Sequence, residues 1–421
     1  MIIPSIDISG GRAVQLRRGR ELILEGGDPL DRLDEFSVAG EVAVIDLDAA
    51  RGQGDNTALI RRMAGRARCR VGGGIRSVEA AEDWLDAGAE KVILGTAASV
   101  EVCSRLPRER VIAAVDAEFG EVVVEGWETP TGAPVLDRIR ELAPYVGGFL
   151  YTQVEHEGGM AGFDVGAVAR AVEAAGSARV TAAGGITESS DIGRLHALGA
   201  DAQVGMAIYS GRMSLGAAIA APLAKPIDGE LWPTVVVDEF GATLGLVWST
   251  TESLERAVAE RRGIYWSRSR GELWIKGASS GNTQDLLAVD LDCDGDALRF
   301  TVHQHGAGFC HTGRRSCWEE GFTLGALDRL IAGRMGDPEP GSGTSRLLEH
   351  PGLLADKLRE EATELGEATT TDEVIHEAAD LLYFALVRLR GAGARLEDVE
   401  AELRRRNARV RRRPMISKEA L

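Results

Sequence analysis

The feature that most restricts the fold is an alternation through the first half of the chain. Eight short runs rich in β-branched and small apolar residues (IIPSIDI, AVIDLDA, CRVGGGI, KVILGTA, VIAAVDA, GGFLYTQV, RVTAAGGI and AQVGMA) are separated by Ala/Leu-rich stretches of helical pattern. Strands alternating with helices predict parallel pairing. Eight such units within about 220 residues predict a compact (β/α)8 barrel rather than an open sheet. An internal repeat supports this. GGI at residues 73–75 returns at residues 184–186, and GAE at Gly88 returns as GAD at Gly199, both at an offset of 111 residues.

The repeat puts Gly-rich strand ends at two related places, Gly74 with Gly95 and Thr96 in one half, Gly185 with Gly205 in the other. Glycine lets the backbone come close to a ligand, and following helix N-termini aim N–H groups at an anion, so two phosphate sites are expected. Close helix packing selects glycine too. The repeat also pairs Asp7 with Asp116, two carboxylates at strand ends on opposite sides of a barrel mouth, which suits an acid and a base. At these residues the segment resembles the ProFAR isomerase of histidine biosynthesis, which converts a bisphosphorylated aminoaldose to an aminoketose. The resemblance implies general acid and base roles for Asp7 and Asp116, a sixth-strand role for Thr152, and phosphate loops at VGGGIR, LGTAA and AAGGI. Two features depart from it. Gln15 stands where arginine is common, and Glu157 and Gly159 fall in a loop that usually reads Asp-Gly-Thr. A barrel that only scaffolds its neighbours is the alternative. Asp46 and Asp48 are expected to hydrogen-bond loops rather than join the mouth.

A proline-containing junction at residues 221–229 leads to two strand-like runs, WPTVVVDEFG and LGLVWS, and then to residues 290–317, which hold two kinds of metal ligand. Asp292, Asp294 and Asp296 alternate, so a strand through them would project all three carboxylates from one face. Such oxygen donors suit a hard cation. Cys293, Cys310 and Cys317 suit zinc, and three thiolates with one open position are what a catalytic zinc site needs. An EF-hand is the weaker alternative, because its sixth and twelfth positions would be Ala297 and His303 in place of Gly and Glu. DCDGDAL, GFCHTGRRSCW and YWSRSRGELWIKGASSGN look like the signature of phosphoribosyl-AMP cyclohydrolase. The resemblance implies zinc on the three cysteines, drawn from two subunits, and magnesium on the three aspartates. It also implies a zinc hydroxide attacking C6 of the purine. His311 either moves a proton or stands behind the metal ligands or on the surface. Arg268, Arg270 and Lys276 are candidate phosphate or base contacts, or charges in solvent.

From residue 346 onward the pattern is helical. Glu361 and Glu364 lie three apart on one helix, as do Glu377 and Asp380 on the next, so two facing helices would gather four carboxylates around magnesium. The LLYFAL after Asp380 implies that this helix is largely buried. The pattern is similar to phosphoribosyl-ATP pyrophosphohydrolase, an all-α fold, with Lys357 a candidate phosphate contact and Glu360 a further acidic candidate.

The predicted architecture is therefore multidomain: a TIM barrel over residues 1–225, a small β-rich α+β metal domain over 229–320, and an all-α helical bundle over 321–421. The three resemblances name successive steps of one pathway, on phosphoribosyl-ATP, phosphoribosyl-AMP and ProFAR. The alternatives are a bifunctional enzyme with an inert barrel and a housekeeping nucleotide pyrophosphatase. A net charge of −17 disfavours nucleic acid and anionic membrane as partners. Zn2+ and Mg2+ are the expected cofactors, and a homodimer through the cyclohydrolase domain is implied by resemblance. An odd count of five cysteines and no signal-like start point to the cytoplasm. The run RRRNARVRRR at residues 404–413 reads as the solvated end of a helix, with phosphate contact as the alternative.

Overall fold

The structure is a computed structural model describing residues 1–411 apart from 18, 20, 125–126, 128, 158–161, 225–230, 319–320 and 339–340. Gly159, part of the junction at 221–229, and residues 412–413 of the arginine run lie outside the described residues. All eight predicted strands form: β1 (Ile2–Ser9), β2 (Val42–Asp46), β3 (Cys69–Gly72), β4 (Lys91–Leu94), β5 (Val111–Glu118), β6 (Gly148–Gln153), β7 (Arg179–Ala183) and β8 (Asp201–Val204). Each pairs in parallel with its chain neighbours, and β8 returns to β1 with Ile3 beside Gln203, so the barrel closes. The repeat extends to the excursions. β1 and β5 each continue into an antiparallel hairpin.

Strand alternation decides what faces the barrel axis. On β4, Val92 and Leu94 pack outward in the main core, while Ile93 points inward and meets Ile112, Leu150 and Ala183 in a separate inner cluster. Toward the strands' N-terminal ends this inner set gives way to a polar layer. Arg70 pairs with Glu41 and donates from Nη1 to Thr181 Oγ1 at 3.0 Å, and Lys91 Nζ lies 2.9 Å from Glu41. Toward the C-terminal ends the same inward positions are Asp7, Asp116 and Thr152.

A six-stranded sheet follows, built from β9 (Trp232–Asp238), β10 (Thr243–Ser249), β11 (Ile264–Ser267), β12 (Glu272–Ile275), β13 (Gln284–Leu291) and β14 (Leu298–Gln304). Its order is β12-β11-β10-β9-β14-β13, and only the β9–β14 pair is parallel. Tyr265, Phe300, Val236 and Val302 fill its buried side, in one hydrophobic cluster continuous with that of the barrel. The run at 292–296 is not extended, contrary to the alternation read from it. β13 ends at Leu291, and Asp292 Oδ1 accepts from the N–H groups of Asp296 (3.0 Å) and Ala297 (3.1 Å), with Gly295 at φ 75°. This is a hairpin turn, which glycine's left-handed backbone allows.

Contacts divide the chain into two compact units, Met1–Cys317 with Ala408–Leu421, and Trp318–Asn407. The second is all helix: α1 (Leu324–Gly336), α2 (Gly343–Glu349), α3 (Pro351–Glu367), α4 (Thr371–Gly391) and α5 (Leu396–Asn407). A capping box between Thr370 and Glu373 starts α4. Buried Asp328 pairs with Arg390, tying α1 to α4. The expectation that α4 is largely buried is corrected. Leu386 and Val387 are buried, but Ile375 is 62% and Leu382 47% exposed. The described residues supply too few neighbouring helices to cover every side of α4. The arginine run is corrected in the same way: α5 stops at Asn407, and Arg411 pairs with Asp83 and Asp86 on the barrel helix Val78–Ala87, while Arg110 Nη1 donates to the Ala408 carbonyl at 2.8 Å. No helix among the described residues is long and apolar enough to cross a membrane.

Candidate active sites

At the barrel mouth, β5 and β6 run in a register that sets Thr152 beside Asp116, and Asp116 accepts a hydrogen bond from Thr152. Asp7 accepts from Ser5 Oγ at 3.0 Å. Burial pushes the Asp7 carboxyl up to about 6, against the opposing Ser5 hydrogen bond, and pushes Asp116 upward against those of Thr152 and Trp127. A third carboxylate shares this field. Glu157 is raised to about 7, first by burial and then by the negative charges of Asp7 and Asp116. Three carboxyls whose ionisation is opposed by burial can hold and release a proton there. Tyr209 adds a buried hydroxyl without a partner among the described residues, its ionisation opposed by burial and by Asp7.

Sequence reasoning treated Glu157 only as a departure and did not single out Tyr209. Tyr209 sits one helical turn after Gly205, a spacing that could have flagged it. Asp46 and Asp48 serve loops as expected. Asp46 caps a short helix at Ala49 N and holds Asn56, while Asp48 accepts from Ser9 Oγ and Gly10 N.

The glycine ends differ in what surrounds them. A Cβ on Gly74 would fall 2.7 Å from Ala49 Cβ, and one on Gly185 2.0 Å from the Gly162 carbonyl oxygen; both glycines have positive φ. Those two are required by the fold. Around Gly95, beside Thr96, nothing stands within 4 Å of an added Cβ, whereas at Gly205 it would meet Gln15 Oε1 at 2.5 Å. One repeat half therefore opens onto free space, and the other faces a buried glutamine amide whose Nε2 donates to Val14 O.

In the sheet region, ligand atoms of Asp292, Asp294 and Asp296 come within 4.8 Å of one another, gathered by the turn rather than by strand alternation. Asp296 is pushed up by the charges of Asp294 and Asp292, a repulsion that a divalent cation relieves. Cys310 and Cys317 form a second cluster. Cys310 is 3.1 Å from Thr312 Oγ1 and 3.9 Å from His311 Nδ1, and each thiol is in the other's field. Cys293 is exposed and joins neither thiol in a ligand cluster among the described residues. Lys276 is buried beside the thiol pair; its Nζ donates to the carbonyls of Asn282 (3.1 Å) and Gly308 (3.4 Å), and burial lowers its pKa against the pull of Cys317 and Cys310. Arg270 pairs with Glu272 at 3.3 Å, and Arg268 stacks 4.4 Å over the Trp248 ring.

In the helical unit, Glu361 from α3 meets Glu377 and Asp380 from α4, all within 4.8 Å. Glu364 lies with Glu360 and Glu361 instead, so buried Glu361 belongs to both groups. Lys357 Nζ is held by Glu360 at 2.8 Å and Glu361 at 3.6 Å. His376 lies 3.6 Å from Asp380.

Comparison with known proteins follows the same three regions. Residues 1–214 match the family described as histidine biosynthesis protein, residues 245–319 match phosphoribosyl-AMP cyclohydrolase, and residues 324–407 match phosphoribosyl-ATP pyrophosphohydrolase. Among relatives, the histidine biosynthesis trifunctional protein of Kluyveromyces lactis is 48% identical over 44% of this chain and 24% of its own length. The histidine biosynthesis bifunctional protein his7 of Schizosaccharomyces pombe is 46% identical over 44% of each chain. The chain thus spans less than half the length of these two fungal relatives. Histidine biosynthesis bifunctional protein HisIE of Gloeobacter violaceus is 41% identical over 42% of this chain and 88% of its own. With one family model matching residues 1–214, half of the chain, and a bifunctional relative covered over 88% of its length, the chain belongs to the histidine biosynthesis protein family.

Proposed function

We propose that the chain is a multifunctional enzyme of histidine biosynthesis. On this reading the helical unit hydrolyses phosphoribosyl-ATP to phosphoribosyl-AMP and pyrophosphate, the sheet region opens the adenine ring of phosphoribosyl-AMP, and the barrel isomerises the resulting ProFAR aminoaldose to the aminoketose. The observation that supports it is that three successive regions match families of one pathway, and acidic clusters suited to a divalent cation stand in the two that match the hydrolases.

The donor sets fit the implied metals. Oxygen clusters at Asp292, Asp294 and Asp296, and at Glu361, Glu377 and Asp380 with Glu364 beside Glu361 in an adjoining group, suit Mg2+, and the thiols of Cys310 and Cys317 suit Zn2+. Two thiols make an incomplete zinc set, and the separate, exposed Cys293 fits a third ligand donated across a homodimer. Bound zinc lowers the pKa of water, and bound magnesium offsets phosphate charge. The protein's own part is to position and to move protons. His311, beside Cys310, is placed to take a proton from the attacking water, and Lys357 to hold a phosphate oxygen. In the barrel, Asp7 and Asp116 exchange the substrate's protons with Glu157 in the same field, Thr152 orients Asp116, and loops at Gly74, Gly95, Thr96, Gly185 and Gly205 hold the two phosphates. Five cysteines without disulfides suit a reducing compartment, and we place the chain in the cytoplasm.

The test is a product assay on the full chain, given phosphoribosyl-ATP with Mg2+ and Zn2+, resolving pyrophosphate, aminoaldose and aminoketose. Aminoketose is the expected product. Gln15 against Gly205 favours a second reading, an inert barrel on a bifunctional enzyme, and aminoaldose accumulating unchanged would establish it. Absence of pyrophosphate release and ring opening would overturn the proposal.

A further inference from the structure

Lys276 follows directly on β12, and its N–H still pairs with the Gly263 carbonyl at 2.9 Å. The strand period sets it on the same side of the sheet as Trp274, the residue opposite Tyr265. That side is the buried one, and Lys276 is only 5% exposed. Sequence reasoning offered it as a phosphate or base contact, but its surroundings leave an outside ligand little room. Nζ donates to the Asn282 and Gly308 carbonyls and lies 5.6 Å from the centre of the Phe309 ring, so dipoles and an aromatic face enclose it. A buried charge is costly unless an opposite charge stands near. The charges that favour its protonated form, against the larger opposing effect of burial, are those of Cys317 and Cys310.

The backbone that carries the thiols is fixed around this ammonium. Gly308, whose carbonyl Lys276 holds, stands two residues before Cys310. Ala307 N donates to Asn282 Oδ1 at 3.0 Å, and Cys317 N donates to the Leu244 carbonyl at 2.8 Å. Two thiolates from this loop and a third from a second copy, around one Zn2+, leave the set with one negative charge in excess. One buried ammonium cancels it. A phosphate contact accounts for neither the burial nor the two carbonyls.

We propose that Lys276 is a positioning residue of the thiol centre: its ammonium offsets the surplus negative charge of the metal-bound thiolates and holds the loop that carries Cys310, and it touches no substrate phosphate. The proposal rests on the reading of these thiols as a zinc site, and it adds the group that makes three thiolates tolerable in a buried place.

The probes are Zn2+ and Co2+, each alone, added to the metal-free full chain. Zinc affinity is read by competition with a chromophoric chelator, and the thiolate-to-cobalt charge-transfer band by absorbance. Lys276→Gln, which keeps an N–H for a carbonyl but not the charge, should weaken zinc by about 10- to 100-fold, the range for groups that support metal ligands. It should also move the cobalt band to longer wavelength, because a cation beside sulfur lowers the energy of the donating electrons. Asn282→Ala loosens the same loop without changing charge and should leave the band in place. Lys276→Met replaces Lys276→Gln if circular dichroism or gel filtration shows that chain misfolded. Unchanged zinc affinity and an unmoved band in a folded variant would overturn the proposal, as would a raised KM for phosphoribosyl-AMP with the metal site unaltered, which would make Lys276 a phosphate contact. A band moved equally by Asn282→Ala, or failure of both Lys276 variants to fold, would assign Lys276 to the fold and overturn it too. The unaltered chain keeps the two readings apart. If it binds no zinc that Cys310→Ser abolishes, the zinc reading itself falls; if it binds such zinc and Lys276 does not matter, the positioning role falls alone.

Discussion

At the scale of single residues, the barrel mouth is defined by carboxylates that resist ionisation. Asp7 has a native pKa of about 6 against 3.8 for the free group. The native state therefore holds its proton more tightly than the unfolded state, and this contribution is fully present below pH about 4 and lost as pH rises through 6. Asp7→Asn should raise Tm at pH 8 by roughly 3 to 10 °C, with the gain vanishing near pH 4, while isomerisation falls. Calorimetry at the two pH values checks it; equal gains at both would contradict the assigned shift. Cys310→Ser should abolish ring opening and spare pyrophosphate release, measured on the same preparation. Asp7 and Asp116 were legible because the internal repeat pairs them at strand ends, and Thr152 through the resemblance of its strand. Glu157 was not, because it lies in a loop, where no period says which way a side chain turns and only the field of the other acids gives its role.

At the scale of elements, the eight barrel strands could be read from the chain because each is a short apolar run bounded by turn residues and repeated in two halves. The aspartate run at 292–296 shows the limit of periodicity. Alternating carboxylates are compatible with a strand and with a turn around Gly295, and both bring the oxygens together, so the cluster was legible and its backbone was not. The helix pair α3 and α4 carries its own prediction. Glu361 belongs to both acidic groups, and Glu361→Gln should abolish pyrophosphate release while ring opening continues; loss of both in a folded protein would break the assignment of activities to elements. The strand ends also separate fold from binding. Gly95→Ala meets no neighbour and should leave Tm within about 1 °C while raising KM for the aminoaldose, whereas Gly185→Ala, at positive φ and against the Gly162 carbonyl, should destabilise the barrel by more than about 1 kcal/mol.

At the scale of the molecule, the helical unit is inserted within the other unit, since the chain resumes contact with the barrel at Ala408. The segment is held by Val410 N on Asp86 Oδ1 at 2.9 Å and by Arg411 on Asp83 and Asp86. Asp86→Ala should free it, seen as several-fold faster tryptic cleavage after Arg409 or Arg411 with barrel activity retained; unchanged cleavage would show the contact to be idle. The sequence suggested a solvated helix end there, with phosphate contact as the alternative, because the acidic partners lie more than 300 residues away. The contact between Arg70 and Thr181 reaches further back. Their separation is the repeat offset itself, so each is the other's counterpart, and in an object of two like halves counterparts touch only on the axis that relates them. An ancestor with two identical halves carrying arginine there would have set two guanidinium groups against each other. Threonine in one half and Glu41 beside the other avoid that conflict, so the two halves differ where they meet.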